Sequence, residues 1–246
     1  MRNYLFRGIK TSPMVTPKVE DYLKAIYRLQ DGDIPATPSD IASAIGVKPS
    51  TVTTTLQRMD DEGLVHYESY QGARLTERGE KGALKVLRNH RLLELFLTEE
   101  LGYDWAEVHD EADVLEHHLS EKLVKRIEVL LGSPAVDPHG EPIPTADLEI
   151  RECETQQSLA ECQEGTVAVV SEVRESSEDV LSYLTNSGIS LGTELEVVET
   201  APFGMITCEV RTTEEPLSLP IDVAADIYVS RPAEPAENER RQYNEA

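Results

Sequence analysis

Residues 37–65 decide the fold of the N-terminal part of this chain, and they read T-P-S-D-I-A-S-A-I-G-V-K-P-S-T-V-T-T-T-L-Q-R-M-D-D-E-G-L-V. The T-P pair is typical of the start of a short helix, which is predicted to end at Gly46. A V-K-P turn follows, and a second helix is predicted over residues 49–62. Two helices joined by so short a turn are typical of a helix-turn-helix.

The flanking residues extend this pattern into a winged domain. Another T-P pair starts a predicted helix at Thr16, with an apolar face that continues to about Gln30. After the second helix, the run L-V-H-Y-E-S-Y-Q-G-A-R-L-T predicts two short strands around Gly72, which form a hairpin wing. The sequence therefore predicts a winged helix-turn-helix domain over residues 15–80.

The outward face of the second helix is rich in threonine, a poor helix former. Each hydroxyl can bond base edges or phosphates, and each methyl group can contact thymine. In a helix-turn-helix the start of this helix enters the major groove of double-stranded DNA, while flanking cations hold phosphates. The candidate DNA-binding residues are Lys48, Ser50, Thr51, Thr53, Thr54, Thr55, Arg58 and Arg74. The alternative is a polar, solvated helix of an ordinary small bundle.

Carboxylates and imidazoles gather in residues 88–118, which contain R-N-H-R-L-L-E and H-D-E-A-D-V-L-E-H-H. One pair lies a helical turn apart, and three further residues lie at positions i, i+3 and i+4 of the next predicted helix. Such a mixture without thiolate suits Mn(II) or Fe(II), although Zn(II) and Co(II) would bind too. The candidate metal ligands are His90, Glu94, His109, Asp113, Glu116 and His117.

An ordinary explanation of this pattern stays open, because an acidic chain places Asp and Glu at helical spacings by chance. The concentration of histidine argues against it, since the chain has six and three are candidate ligands. The other three, His66, His118 and His139, are expected to lie outside the site.

The charge of the chain is distributed unevenly. The net charge is −23, and a protein this acidic should repel DNA. Residues 1–90, however, carry 13 Lys and Arg against 11 Asp and Glu, whereas residues 91–246 carry 10 against 35. The N-terminal part is therefore free to approach phosphate. Acidity with few lysines is typical of a halophilic cytoplasm, and the alternative is an ordinary acidic protein with a disordered tail.

Other features bound the cellular setting. No run of about 18 apolar residues predicts a transmembrane helix, and the N-terminus lacks the apolar region of a signal peptide. The cysteines Cys153, Cys162 and Cys208 are odd in number and have no metal-like spacing. We expect a cytoplasmic protein with free thiols and no membrane partner.

The rest of the chain divides by its hydrophobic period. Helical patterns over 81–146, including one helix from Asp110 to about Leu131, predict a dimerisation and metal-binding domain. Short strand runs over 164–230, with one helix at about 177–187, predict a small β-barrel of roughly SH3 size. Residues 231–246 are predicted to be a disordered tail. The expected fold class is mainly α with α+β.

The apolar faces of residues 92–101 and 114–131 exceed what one small helix needs. We expect a homodimer formed through them, and an intramolecular core is the alternative. They comprise Leu92, Leu93, Leu95, Phe96, Leu97, Leu101, Val114, Leu115, Leu119, Leu123, Ile127 and Leu130.

These motifs resemble the diphtheria-toxin-repressor/manganese-transport-regulator family of metal-dependent repressors. The resemblance covers residues 15–144 and rests on E-D-Y-L-K-A-I-Y, P-S-T-V-T-T-T-L-Q-R-M-D-D-E-G-L-V, N-H-R-L-L-E, V-H-D-E-A-D-V-L-E-H and G-E-P-I-P. The C-terminal strands are similar to the third domain of that family, which is an SH3-like (FeoA-like) β-barrel, although this match is weaker.

The resemblance implies a homodimeric repressor with two metal positions per subunit, a palindromic operator and Mn(II) or Fe(II) as co-repressor. The primary position would use Asp21 together with Asp113, Glu116 and His117. The ancillary position would use His90, Glu94 and His109.

The chain departs from both branches of the family at the first helix. The iron-sensing branch has Met and Cys at the positions of Asp21 and Asp113, whereas the manganese-sensing branch has acidic residues there. That branch also has a Glu where this chain has Lys24. Hard ligands favour Mn(II). Two alternatives remain at this point, a metal-independent winged-helix regulator and a carboxylate/histidine metalloenzyme.

Overall fold

The computed structural model describes residues 16–30, 32, 34–151, 156–174, 178–211 and 216–232. Contacts divide the chain into two compact units, Met1–Arg88 and Asn89–Ala246. The predicted tail lies outside the described residues, apart from residues 231 and 232.

The N-terminal unit has the predicted winged helix-turn-helix. It contains α1 Pro17–Leu29, α2 Pro38–Ala44, α3 Pro49–Asp61, β1 Val65–Glu68, β2 Gly72–Leu75 and the start of α4 Glu77–Leu101. Thr37 caps α2, because its hydroxyl accepts a hydrogen bond from the Asp40 backbone N–H at 3.2 Å. Gly63 follows α3 with φ of +69°, a conformation that glycine adopts without strain.

The core of this unit explains the apolar periodicity of its helices. Each helix turns its apolar stripe inward, and the wing closes the remaining side. Fully buried contributors include Leu23, Ile26, Ile41, Val52, Leu56, Met59 and Ala73. The polar face of α3 is therefore left on the surface.

The wing is fixed by a backbone contact with the loop before α2. Strands β1 and β2 are antiparallel, and Ala36 and Ala73 exchange two backbone hydrogen bonds of 3.0 and 2.9 Å. A Cβ atom on Gly72 would lie 2.5 Å from the carbonyl oxygen of Ala36. Glycine is therefore required at this position by close packing as well as by its φ of +120°.

The second unit begins with the C-terminal part of α4, followed by α5 Val108–Leu115 and α6 Glu121–Leu130. The prediction of one helix from Asp110 to about Leu131 is wrong. A 3-10 turn, Glu116–His118, ends α5, and Leu119 is extended. Ser120 then caps α6, since its side chain accepts a hydrogen bond from the Leu123 backbone N–H.

A six-stranded antiparallel sheet forms the rest of the second unit. Its order is β3-β8-β4-β5-β6-β7. The elements are β3 Gln157–Ser158, β4 Val167–Val173, α7 Glu178–Asn186, β5 Glu194–Ala201, β6 Met205–Val210, β7 Leu217–Pro220, α8 Ile221–Ala225 and β8 Ile227–Ser230. One apolar core lies within the sheet and α7, and Ala106 from the segment between α4 and α5 belongs to it.

The apolar helix faces expected at a dimer interface are divided between two environments. Many of these side chains fill a core between α4, α5 and α6, including Leu92, Leu93 and Ile127. Others are exposed in the isolated chain, namely Leu101, Val114, Leu123 and Leu130. The exposed group is the apolar surface available to a second copy.

Candidate metal centre

Helix α4 buries polar side chains along one face as it enters the second unit. His90 and Glu94 are 1% and 2% exposed, and Asn89 and Arg91 are also buried. Buried polar and charged groups are costly unless they are paired. The partners of these side chains therefore define the site.

His90 is at the centre of the cluster. Its Nε2 lies 2.9 Å from Oε1 of Glu94 and 3.1 Å from Nδ1 of His109. Its Nδ1 lies 2.6 Å from Oε2 of Glu116 and 3.3 Å from Oδ1 of Asp113. Each ring nitrogen thus faces a different set of candidate ligands.

Helix α5 supplies two of these ligands from one face. His109 and Asp113 are one turn apart, with Nε2 of His109 3.6 Å from Oδ2 of Asp113. Nδ1 of His109 also lies 3.1 Å from Oε1 of Glu94. Ligand atoms of His90, His109 and Asp113 all lie within 4.8 Å of one another, which is close enough to share one ion.

The 3-10 turn after α5 supplies two further candidates. The buried Glu116 is held by its main chain as well as its side chain, because the Asn89 amide donates to its carbonyl oxygen at 3.1 Å. Nε2 of His117 lies 3.4 Å from Oε1 of Glu116. The predicted helical spacing is therefore altered at Leu115, but the two side chains still lie next to each other.

Asp21 belongs to the N-terminal unit. It lies on α1, where its side chain is half-buried, and Lys24 one turn later is 7% exposed. Six of the seven predicted ligands thus lie together in the second unit, and the seventh is carried by the first helix of the winged domain.

The turn after α6 brings further polar groups to the cluster, and sequence reasoning did not place them there. Nε2 of His139 lies 3.9 Å from Oε1 of Glu94. Its Nδ1 is buried without a hydrogen-bond partner among the described residues. Asp137 fixes the turn, since its Oδ1 accepts from the backbone N–H groups of His139 and Glu141 at 2.8 and 3.0 Å.

Arg91 attaches this turn to α4. Its guanidinium lies 2.9 Å from Oε1 of Glu141 and 3.6 Å from Oδ2 of Asp137. It also donates to the carbonyl oxygen of Pro142 at 2.6 Å. Two neighbouring residues of the N-H-R motif thus have different partners. His90 faces the candidate ligands, and Arg91 faces the turn.

The buried carboxylates of this region perturb one another. Burial, with Glu94 and Glu141 nearby, raises the pKa of Asp137 well above its usual value, and Arg91 acts in the opposite direction. Burial also acts to raise the pKa of Glu94, but His90 and His109 hold that pKa well below its usual value. Burial lowers the pKa of His139, so its imidazole is neutral at pH 7 and able to ligate.

Sulfur ligands are absent from the described part of this cluster. Cys162 and Cys208 are both buried in the core of the C-terminal sheet. Burial and the proximity of Cys162 raise the pKa of Cys208 to about 11, which keeps it a thiol. The donor set is therefore oxygen and imidazole nitrogen, which suits Mn(II) and Fe(II).

Five of the six predicted DNA-binding residues of α3, all except Thr53, lie around a shallow concavity of about 600 Å³. Its lining consists of Lys18, Ser50, Thr51, Thr54, Thr55 and Arg58. Lys18, at the start of α1, was not predicted, because no spacing in the sequence relates it to α3. The concavity joins two cations and several hydroxyls on one surface of the winged domain.

Three threonine hydroxyls of α3 donate to the helix itself. Thr53, Thr54 and Thr55 donate to the carbonyl oxygens four residues earlier at 3.0–3.2 Å. Thr55 differs from the outward position expected for it, since it is only 8% exposed. A hydroxyl that donates to its own helix keeps acceptor capacity and can still receive a hydrogen bond from a base amino group.

The two remaining candidates flank this helix. Lys48 is exposed and precedes α3 as its N-cap residue. Arg74 lies on β2 of the wing and donates to the carbonyl oxygen of Gly32 at 3.2 Å. Both positions suit contacts with phosphates beside the groove that α3 would enter.

Among the described helices, none is long and apolar enough to cross a membrane.

Comparisons with sequence families cover most of the chain. Residues 14–73 match the family "Iron dependent repressor, N-terminal DNA binding domain". Residues 76–145 match "Iron dependent repressor, metal binding and dimerisation domain", and residues 157–231 match "FeoA domain". The same three segments carry the winged domain, the candidate ligands and the C-terminal sheet.

Individual proteins agree with these matches. The chain is 32% identical over 225 residues to the iron-dependent repressor IdeR of Mycobacterium tuberculosis, covering 86% of this chain and 96% of that protein. It is 40% identical over 118 residues to the HTH-type transcriptional regulator MntR of Lysinibacillus sphaericus, covering 48% and 84%. A solved manganese-dependent transcriptional repressor in complex with manganese matches with a TM-score of 0.81 and 36% identity, covering 87% of this chain and all of that one. The chain therefore belongs to the iron-dependent repressor family, whose members are metal-dependent, DNA-binding transcriptional repressors.

Proposed function

We propose that this protein represses genes of metal-ion homeostasis as a homodimer when Mn(II) or Fe(II) is bound, by binding a palindromic operator on cytoplasmic DNA. The observation that carries the proposal is the position of His90 between two sets of ligands. The ancillary metal position consists of His90, Glu94 and His109. The primary position consists of Asp21, Asp113, Glu116 and His117.

The ligand spacing fits a divalent cation. Bond lengths of about 2.1 Å in octahedral geometry place neighbouring ligand atoms about 3 Å apart. The atoms of His90, Glu94 and His109 are separated by 2.9–3.1 Å.

The distribution of the ligands over the chain explains how metal affects DNA binding. When bound, the cation supplies positive charge and a coordination shell that several side chains share. Asp21 contributes to that shell from α1 of the winged domain, whereas the other ligands belong to the dimerisation unit. Through Asp21 the winged domain would be held in the orientation that lets both α3 helices of a dimer meet successive major grooves. Coordination by these residues would therefore shift an existing equilibrium towards the DNA-binding form.

Manganese is favoured over iron by the hardness of the donors. Asp21 and Asp113 supply carboxylate oxygens, and the described cysteines lie in a different core. The relatives of this chain include proteins named for each metal, so the donor set decides this part of the proposal.

Replacing Asp21 by alanine is expected to separate metal binding from DNA binding. The ancillary ligands remain intact, so the protein should still take up Mn(II). Operator affinity in Mn(II) should fall at least roughly tenfold, a typical size for coupling between sites. Fluorescence anisotropy with an operator selected from a random library measures this effect.

The matched control is Glu20→Ala, which removes the neighbouring carboxylate of the same helix and should leave the response to metal intact. An Asp21→Ala protein that binds the operator as tightly as the wild type, with and without Mn(II), would show that α1 does not transmit the signal.

Replacing Lys18 or Arg58 by glutamine is expected to reduce the salt dependence of operator binding. Each phosphate contact contributes roughly one unit to the slope of log K against log salt. Both cations line the concavity beside α3, so each variant should lose about one unit of slope. The exposed Lys81, which pairs with Glu77 on α4, provides the control Lys81→Gln. An unchanged slope in both variants would place the phosphates elsewhere.

A further inference from the structure

The chain contains a single tryptophan, Trp105, between the two ligand-bearing helices α4 and α5. Its ring stacks on the imidazole of His139, with centroids 5.3 Å apart and planes inclined by 29°. Its indole N–H donates a hydrogen bond to the hydroxyl of Thr185 on α7. One side chain thus contacts the metal cluster and the C-terminal sheet domain.

The orientation of the His139 ring depends on this stacking. Its main chain is fixed on both sides, because its N–H donates to Asp137 and its carbonyl oxygen accepts from the Val173 N–H at 2.8 Å. Its ring has fewer restraints, since Nδ1 has no hydrogen-bond partner among the described residues and Nε2 is 3.9 Å from Glu94. The terminal torsion of histidine is intrinsically broad, so a neighbouring surface is needed to fix it.

The C-terminal domain supports Trp105 and the His139 turn together. Ala106, next to Trp105, is 5% exposed within the core of the sheet domain, and the Trp105 ring packs against the same core. A Cβ atom on Gly140 would lie 2.2 Å from the carbonyl oxygen of Ser171 on β4. Both segments are therefore in direct contact with the sheet domain, and at Gly140 this contact leaves no room for a side chain.

We propose that Trp105 is a positioning residue that holds the His139 imidazole beside Glu94, so that metal binding at the ancillary position and docking of the C-terminal domain stabilise each other. The inference rests on the proposed metal binding by Glu94. By linkage, any change that frees Trp105 from Thr185 weakens the ancillary position, and an empty ancillary position loosens the contact with α7.

The test is Mn(II) binding to the full-length protein, measured by the EPR signal of free Mn(II), in parallel with the emission of the single tryptophan. The wild type should take up two equivalents, and the equivalent that reaches Glu94 should change the emission of Trp105. Trp105→Ala should weaken that equivalent at least about tenfold, the usual effect of removing an outer-shell partner. The other equivalent should keep its affinity.

Two conservative variants distinguish positioning from a general structural role. Trp105→Phe keeps a stacking ring but loses the indole N–H. Thr185→Val removes the acceptor of that hydrogen bond, together with the bond that the Thr185 hydroxyl donates to the carbonyl oxygen of Leu181 within α7. Both should weaken the same equivalent by about threefold, as expected for one hydrogen bond. They remain informative if Trp105→Ala does not fold. Phe203→Ala removes an exposed aromatic of the C-terminal domain and should change nothing.

Wild-type affinity for both equivalents in Trp105→Ala would overturn the inference and leave the proposed function intact. The same holds if Trp105→Ala fails to fold and both conservative variants bind like the wild type. A wild-type protein that takes up no Mn(II) or Fe(II) would instead contradict the proposed function. General destabilisation would be indicated if all three variants bound both equivalents of Mn(II) equally more weakly, or if Phe203→Ala bound Mn(II) more weakly. Either result would also overturn the inference about Trp105.

Discussion

Replacing His90 by alanine is expected to abolish the response of operator binding to metal. His90 is fully buried and is the only described side chain with one nitrogen facing Glu94 and His109 and the other facing Glu116 and Asp113. Its loss removes an ancillary ligand and leaves the buried Glu116 without its 2.6 Å partner. Since removal of an outer-shell partner alone costs up to about 100-fold in metal affinity, the loss of a ligand should cost at least that much.

The measurement is Mn(II) affinity by isothermal calorimetry, together with operator binding at a fixed Mn(II) concentration. His118→Ala is the control, because His118 directly follows the candidate ligand His117 and its side chain is exposed. Unfolding in urea with chelator present would show whether His90→Ala is folded. A folded His90→Ala protein with wild-type metal affinity would remove His90 from the site.

Replacing Arg91 by methionine is expected to destabilise the metal-free protein strongly. The guanidinium is 6% exposed and pairs with Glu141 and Asp137, whose carboxylates would lose their cation. Removing one partner of a buried ion pair typically costs about 3–5 kcal/mol. Burial, with Glu94 and Glu141 nearby, already raises the pKa of Asp137 well above its usual value, so removal of the guanidinium would leave buried negative charge without a cation. Added Mn(II) should therefore recover part of the lost stability.

Urea unfolding with and without Mn(II) measures both effects. Arg126 on α6 is exposed, so Arg126→Met should cost little and show no additional response to metal. If Arg91→Met lost no more free energy of unfolding than Arg126→Met, the carboxylates of the turn would be neutral in the folded protein and the charge argument would be wrong.

Local sequence signals were sufficient for the winged domain. Threonine and proline mark the starts of α1 and α2, and glycine marks the end of α3, so the boundaries were predicted to within a residue or two. The wing was predicted as two strands around Gly72, and in the structure Gly72 begins β2 and pairs with Glu68. These signals depend on residues that are close together in the sequence, so they can be read from a single sequence. The family resemblance drawn from them is confirmed by the family matches.

The helix after α5 was mispredicted because its pattern continues across the break. Apolar residues keep helical spacing from Val108 to Leu130, and only Ser120 marks the new start. A single serine indicates a new helix start less strongly than so long a periodic pattern indicates one continuous helix. Glu116 still lies beside His90, because a 3-10 turn displaces side chains by less than the reach of a carboxylate.

Long-range contacts produced the remaining differences. His139 was expected outside the site, since it lies 45 residues from Glu94 within a proline-rich turn. Arg91 brings that turn back to α4, and such a pairing leaves no periodic trace in the sequence. Lys18 and Thr55 differ for the same reason, because the packing of α1 against α3 decides which side chains line the concavity.

The most direct test of the central claim is operator binding by the purified protein at high KCl, with chelator and with Mn(II), Fe(II) and Zn(II) titrated separately. We expect binding only with metal, at lower concentrations of Mn(II) than of Fe(II). Operator binding that is equally tight in chelator would contradict the account, because the carboxylate and histidine cluster around His90 would then have no part in recognising DNA.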